Sequence, residues 1–197
     1  MSQQIEIEFK NMLTKEEYEQ LLMHFDIDYN TIALQENHYF DTRDFALKKR
    51  LSGLRIRIAG TKIECTIKER SGDHAHLETT DNLTIEQAQS MLSGGPFVAS
   101  EVLKRLQALE ISPANLSVFG SLSTKRVELE FKGGLLVLDH SFYLNQDDYE
   151  VEYETTNERV GQQIFLQFLA EHGIAIRPAD KKIARFSKAL QQQLEKE

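Results

Sequence analysis

The sequence is short of the features that mark several common protein classes. It has a single cysteine, Cys65, which excludes an internal disulfide and any multi-cysteine metal site. No apolar run approaches the ~20 residues that a membrane span needs. The N-terminus has no basic-then-apolar leader, so a cytoplasmic protein is expected. Positive charge is scarce, with 23 Lys and Arg against 31 Asp and Glu and a net charge of −8. That balance argues against a duplex-binding surface, because phosphate contacts demand clustered cations on the outside. No glycine-rich phosphate loop is present: "LSGG" and "KGG" lack the G-x-x-x-x-G-K pattern and read as turns. The histidines show no metal-ligand spacing beyond the pair His74 and His76, which lacks a third and fourth ligand. Internal repeats, low-complexity tracts and long linkers are missing too, and 197 residues fit a single domain over 1–197.

What the chain does have is clear local patterning. Thr14 with Glu17 and Thr84 with Gln87 are capping boxes that open helices. Tyr18, Leu21, Leu22 and Phe25 form the apolar stripe of the first. "GGP" at 94–96 closes the second, and a third is expected from about Ser100 to Leu109, stopped by "SP" at 112–113. A longer helix is expected from Asn157 to His172, with Val160, Ile164, Phe165 and Phe168 on its apolar side and Gly173 as its stop. The tail from Lys181 to Lys196 reads as a last helix. Between these lie eight strand candidates, 4–10, 34–42, 53–60, 62–70, 75–80, 122–132, 134–141 and 148–155, mostly joined by short links. "FKGGLL" reads as a tight turn with positive φ at Gly133 and Gly134. The expected class is α+β, with an antiparallel meander dominating.

The strands share an unusual pattern. "IEIEFK" places Ile5, Ile7 and Phe9 on one face and Glu6, Glu8 and Lys10 on the other. Arg55 and Arg57 oppose Leu54, Ile56 and Ile58, while Lys62, Glu64, Thr66 and Lys68 oppose Ile63, Cys65 and Ile67. Arg126, Glu128 and Glu130 oppose Val127, Leu129 and Phe131, and Asp139 shares a face with Val137. Glu150, Glu152 and Glu154 oppose Tyr149, Val151 and Tyr153. One such strand is an ordinary half-solvated sheet edge. Here, however, the charges are sorted by strand, carboxylates on the first and last and cations in the middle. Three glutamates in a row repel one another unless cations sit nearby. Curling eight strands into a closed barrel, apolar faces outward under the helices, resolves the pattern by turning every charged face inward. Paired acids at i and i+2 then suit a divalent cation, and arginines suit phosphate oxygens. The implied ligand is a polyphosphate chelated to Mg2+ or Mn2+.

These residues resemble the CYTH, or triphosphate tunnel metalloenzyme, superfamily. "EIEFK" matches its E-x-E-x-K signature. "YFDT" at 39–42, the R-x-R of Arg55 and Arg57, "TIK" ending at Lys68, Arg126, Asp139, the E-x-E of "YEVEYE" and a late Lys182–Arg185 pair follow in the family's order. The resemblance implies an eight-stranded antiparallel tunnel and metal-dependent hydrolysis of inorganic triphosphate, thiamine triphosphate or a nucleoside triphosphate. The alternatives it leaves are a class IV-type adenylate cyclase and a non-catalytic polyphosphate- or nucleotide-binding module. By the same resemblance, Glu6, Glu8, Asp139, Glu150, Glu152 and Glu154 are metal-ligand candidates. Lys10, Arg55, Arg57, Lys68, Arg126 and Lys182 are the catalytic and phosphate-binding set, with Glu78 and Arg185 as further substrate-binding candidates. Two choices stay open: the motif needs two of the three in-phase glutamates, and Lys181 stands beside Lys182. Expected partners are a small triphosphate, with no duplex nucleic acid and no membrane. The oligomeric state is open.

Overall fold

The computed structural model describes residues 3–195. Eight strands, β1 (Gln3–Leu13), β2 (Ala33–Thr42), β3 (Ser52–Ala59), β4 (Lys62–Arg70), β5 (Ala75–Asn82), β6 (Leu116–Phe131), β7 (Gly134–Tyr143) and β8 (Gln146–Thr155), form an antiparallel closed barrel. Their order around it is β1-β5-β4-β3-β2-β6-β7-β8. Six helices accompany them: α1 (Lys15–His24), α2 (Ala46–Lys49), α3 (Ile85–Leu92), α4 (Ser100–Ala108), α5 (Glu158–Glu171) and α6 (Lys182–Leu194). No helix among the described residues is long and apolar enough to cross a membrane. Lys196, the last residue of the expected tail helix, lies outside the described residues.

The chain divides into two compact units. One comprises Gln35–Leu122 with the start of β1, and the other Glu6–Leu34 with the chain from Ser123 onward. In the first, the apolar face of the β3–β4 hairpin, Leu54, Ile56, Ile63, Cys65 and Ile67, is buried against Ala88 and Met91 of α3 and Val102 and Leu106 of α4. Cys65 is thus a small core residue. In the second, Phe9, Val127, Leu136, Leu138, Val151 and Tyr153 are buried against Leu21 and Leu22 of α1 and Phe165, Phe168 and Leu169 of α5. Within each unit the alternation therefore works as the sequence implies, with apolar faces under helices and charged faces opposite. Both capping boxes form: Thr14 accepts from the Glu17 amide and Thr84 from the Gln87 amide.

Several local expectations change. The turn after β6 uses Lys132 (φ 44°) and Gly133 (φ 80°), whereas Gly134 already pairs with Phe131 in β7. Only two residues fit that hairpin, and the mirror-image turn needs both in the left-handed region. α4 ends at Ala108 because Glu110 turns left-handed (φ 57°), before the "SP" pair. On α5, Val160 is 48% exposed and Gly161 faces the core instead. A Cβ at Gly161 would come within 2.4 Å of Thr155, so the glycine brings the helix close and swings Val160 aside. β6 begins at Leu116, six residues earlier than its alternation suggested.

Candidate active site

The register of the strands assembles the charged faces. In the unit containing β6–β8, Lys10 lies opposite Glu152 and Glu8 opposite Glu154 across the β1–β8 pair. Arg126 lies opposite Asp139, which in turn lies opposite Glu150. Lys10 Nζ is 3.0 Å from Glu152 and 3.3 Å from Glu8. Burial works against its charge, yet Glu152 and Glu8 hold the Lys10 pKa above its ordinary value. Arg126 grips Asp139 bidentately, Nε to Oδ1 at 2.8 Å and Nη2 to Oδ2 at 2.5 Å, and reaches Glu152 at 3.1 Å. Burial alone would raise the Asp139 pKa, but Arg126 and Lys182 together keep it below its usual value.

Lys182, at the start of α6, supplies the centre of this cluster. Its ammonium contacts Asp139 at 2.7 Å, Glu152 at 3.0 Å and Glu150. Among the described residues, Asp139, Glu150 and Glu152 are the one group whose carboxylate oxygens lie within 4.8 Å of one another, as a metal ion would need. The Lys182 amino group stands among those oxygens; burial pulls its pKa well below the ordinary lysine value, Asp139 works the other way, and Arg126 and Lys10 add to the lowering. Arg185, one turn along α6, is committed as well: to Asp148 at 2.8 and 3.0 Å, to Glu150 at 2.6 Å and to the Asp180 carbonyl at 2.5 Å. The bonds to Asp148 and Glu150 tie α6 to β8.

Glu154 is different. No ion pair forms on it among the described residues, and its neighbours Glu6, Glu8 and Glu152 are all acids. Burial first, then the negative charge of Glu6, Glu152 and Glu8, pushes its pKa up to about 7, with Arg126 offsetting only part of the rise. The three in-phase glutamates therefore divide by environment. Glu150 is neutralised by Lys182 and Arg185, Glu152 is shared among Lys10, Arg126 and Lys182, and Glu154 faces like charge. An all-oxygen cluster in which Glu154, with no ion pair of its own, faces Glu6, Glu8 and Glu152 suits a hard divalent cation, so the residues present fit such an ion.

The remaining expected residues lie in the other unit. Lys68 on β4 is 3.4 Å from Glu78 on β5, its cross-strand partner. Arg57 on β3 donates from Nε to Asn37 Oδ1 of β2 at 3.1 Å. Arg55 lies opposite Tyr39 on one side and Thr66 on the other, and Thr66 hydrogen-bonds Thr80 at 2.8 Å. Glu78 is buried, as expected of a residue on the charged face.

Against this geometry the relatives are informative. A family model described as the CYTH domain matches residues 4–187. The chain belongs to the CYTH domain family. It is similar to YjbK of Bacillus subtilis, provisionally named a triphosphatase, with 42% identity over 186 residues that cover 94% of this chain and 96% of that one. A solved structure from Bacillus halodurans, provisionally described as an adenylate cyclase, superposes with a TM-score of 0.90 at 38% identity, covering 94% and 99% of the two chains. A Hippeastrum protein described as having a dominant triphosphatase activity shares the fold, with a TM-score of 0.79 at 22% identity and coverage of 93% and 95%.

For a CYTH chain, two contributors, Asp148 and Asn37, went unread in the sequence, and a third, Asp41, was read only as part of a motif. Asp148 holds Arg185 and accepts from the Tyr143 hydroxyl at 2.6 Å, and it shares the phase of Glu150, Glu152 and Glu154 two residues upstream. Asn37 belongs to a buried face of β2 with the uncharged Gln35 and Tyr39, which a search for charges passes over. Asp41, of the "YFDT" motif, accepts from the Leu47 and Lys48 amides at 2.9 and 3.1 Å. It caps α2 from the neighbouring strand, a structural task.

Proposed function

We propose that this CYTH chain, acting as one domain, hydrolyses a small triphosphate with a divalent cation, Mg2+ or Mn2+. The observation that carries the reading is the split among the acids. Asp139 and Glu150 are neutralised by fixed side chains, while Glu154 sits among Glu6, Glu8 and Glu152 with no ion pair of its own. Like charges directly opposite in a sheet are unfavourable, so the arrangement is suited to an arriving cation. Glu6, Glu8, Glu154 and the shared Glu152 are the side chains assigned to hold it. When bound, it supplies charge neutralisation on phosphate oxygens and Lewis acidity.

Phosphoryl transfer asks mainly for positioning and charge neutralisation. Lys10, Arg126 and Lys182 are assigned to phosphate oxygens in one unit, and Arg55, Arg57 and Lys68 take the same role in the other by their match to the family motifs. Arg126 and Lys182 are pre-oriented by Asp139, so little reorganisation accompanies the build-up of charge on the leaving phosphate. Arg185 and Asp148 keep α6, and with it Lys182, in place. The names of YjbK and of the Hippeastrum protein agree with a triphosphatase.

The test is phosphate release from tripolyphosphate, thiamine triphosphate and ATP with Mg2+ or Mn2+, for wild type and Glu6→Ala. Metal-dependent release from one substrate, lost in the variant, supports hydrolysis and names the substrate. Pyrophosphate and a cyclic nucleotide from ATP would instead establish a cyclase, and tight binding without turnover a sensing module.

A further inference from the structure

The segment between β2 and β3 carries features that triphosphate chemistry leaves unused. Residues 43–51, "RDFALKKRL", hold Arg43, Lys48, Lys49 and Arg50 against one carboxylate, Asp44, in a chain of net charge −8. All five charged side chains are exposed. The short helix α2 inside this segment is flanked by Phe45 (φ 56°) and Leu51 (φ 55°), both in the left-handed region. Glycine suits that region, and bulky residues there are disfavoured. Leu51 follows the end of α2 and bonds back to the Lys48 carbonyl at 3.0 Å, a position where glycine is usual. Phe45 is not needed as a cap either, since Asp41 and Thr42 accept from the first amides of α2.

Phe45 and Leu51 are also 42% and 56% exposed. Stability does not account for Leu51, where the backbone would be easier with glycine and the surface with a polar residue; Phe45 recovers part of the same cost through its contacts with Phe119 and Lys48. Strained, exposed side chains of this kind cluster at functional positions.

We propose that this segment docks the protein on an anionic lipid bilayer, with Phe45 and Leu51 entering the interface and Arg43, Lys48, Lys49 and Arg50 meeting headgroup phosphates. The expectation of no membrane partner rested on the lack of a spanning run. A peripheral contact needs only apolar anchors beside cations. Single-stranded nucleic acid, another polyanion, fits the segment less well. Base stacking needs a bare aromatic face, whereas Phe45 has Lys48 over its ring at 5.7 Å and meets the Phe119 ring edge-on at 5.9 Å. Aliphatic Leu51 offers a base nothing to stack on.

Co-sedimentation with vesicles of phosphatidylcholine alone, or mixed with phosphatidylglycerol, tests the proposal. Wild type pellets with the anionic vesicles only. It is released by salt as the screening length falls from about 10 Å at 0.1 M to about 3 Å at 1 M. Leu51→Gly is the decisive variant, because glycine relaxes the backbone and preserves the fold. Its binding falls about tenfold through loss of apolar burial. Lys48→Ala combined with Lys49→Ala weakens binding about twenty-five-fold, at roughly fivefold per cation near an anionic surface. Failure of wild type to pellet with anionic vesicles, or Leu51→Gly binding as wild type does, overturns the proposal. Tight binding of a single-stranded RNA oligonucleotide without vesicle binding overturns it in favour of a nucleic-acid surface.

Discussion

Replacing Glu154 by glutamine stabilises the metal-free protein, and the size of the gain follows from the site. In the folded state this carboxyl keeps its proton up to about pH 7, because burial and the charges of Glu6, Glu152 and Glu8 disfavour ionisation; its ordinary value is 4.5. The folded state therefore binds more protons than the unfolded state between those two values, so stability falls as pH rises through that window and stays low above it. At about 1.4 kcal/mol per pH unit the penalty at pH 8 is on the order of 3 kcal/mol. Glutamine, neutral throughout, escapes it. For a domain of this size ~3 kcal/mol corresponds to roughly 6–12 °C in Tm. Thermal melts in EDTA give a Glu154→Gln protein that unfolds higher than wild type by about that much at pH 8, with the gap narrowing towards pH 5. Added Mg2+ raises the wild-type melt and closes the gap from the other side, since the variant has lost a ligand. Equal melting at pH 8, or a gap that widens in acid, refutes the placing of Glu154 among like charges.

Other perturbations test neighbouring parts of the structure. Arg126→Met leaves buried Asp139 and Glu152 without their shared guanidinium and costs about 3–5 kcal/mol in chemical denaturation, the range for breaking a buried pair; a loss below about 1 kcal/mol contradicts the network. Asp41→Ala removes the acceptor of two α2 amides, lowers stability by about 1–2 kcal/mol, and speeds hydrogen exchange at Leu47 and Lys48 before anywhere else. Gly134→Ala places a Cβ 2.4 Å from the Glu154 carbonyl and 2.6 Å from the Tyr153 ring, so it destabilises by about 1–3 kcal/mol. A neutral result there, read by urea midpoint, means that the β7–β8 spacing gives more easily than its packing suggests.

The period-two alternation carried most of the barrel because it reports a local fact, which face of each strand is apolar. Leu54, Ile56, Cys65 and Ile67 could be assigned to the helix-covered side without knowing which helices cover them. The capping boxes were legible for the same reason, each being complete within four residues. What escaped depends on partners distant in sequence. The division of Glu150, Glu152 and Glu154 is set by α6, which brings Lys182 and Arg185 back to a strand some thirty residues earlier. Alternation sees only three equal glutamates. The pairing of Arg185 with Asp148 was not legible, because Asp148 stood at the edge of the expected strand. Asp41 read as a motif residue because the helix it caps, four residues long, has no pattern of its own. Val160 was placed on the core side of α5 because apolar periodicity ignores Gly161, and close approach at a glycine sets the rotation of that helix.

The central claim is that Glu154 and the acids around it serve catalysis by holding a divalent cation against a triphosphate. It is tested most directly by the Mg2+ or Mn2+ dependence of tripolyphosphate hydrolysis in wild type and Glu154→Gln, with both proteins shown to be folded by their melts. The account predicts rapid metal-dependent phosphate release by wild type, and little release by the more stable variant at any metal concentration. Undiminished release by Glu154→Gln, or wild-type turnover that persists in EDTA, contradicts it.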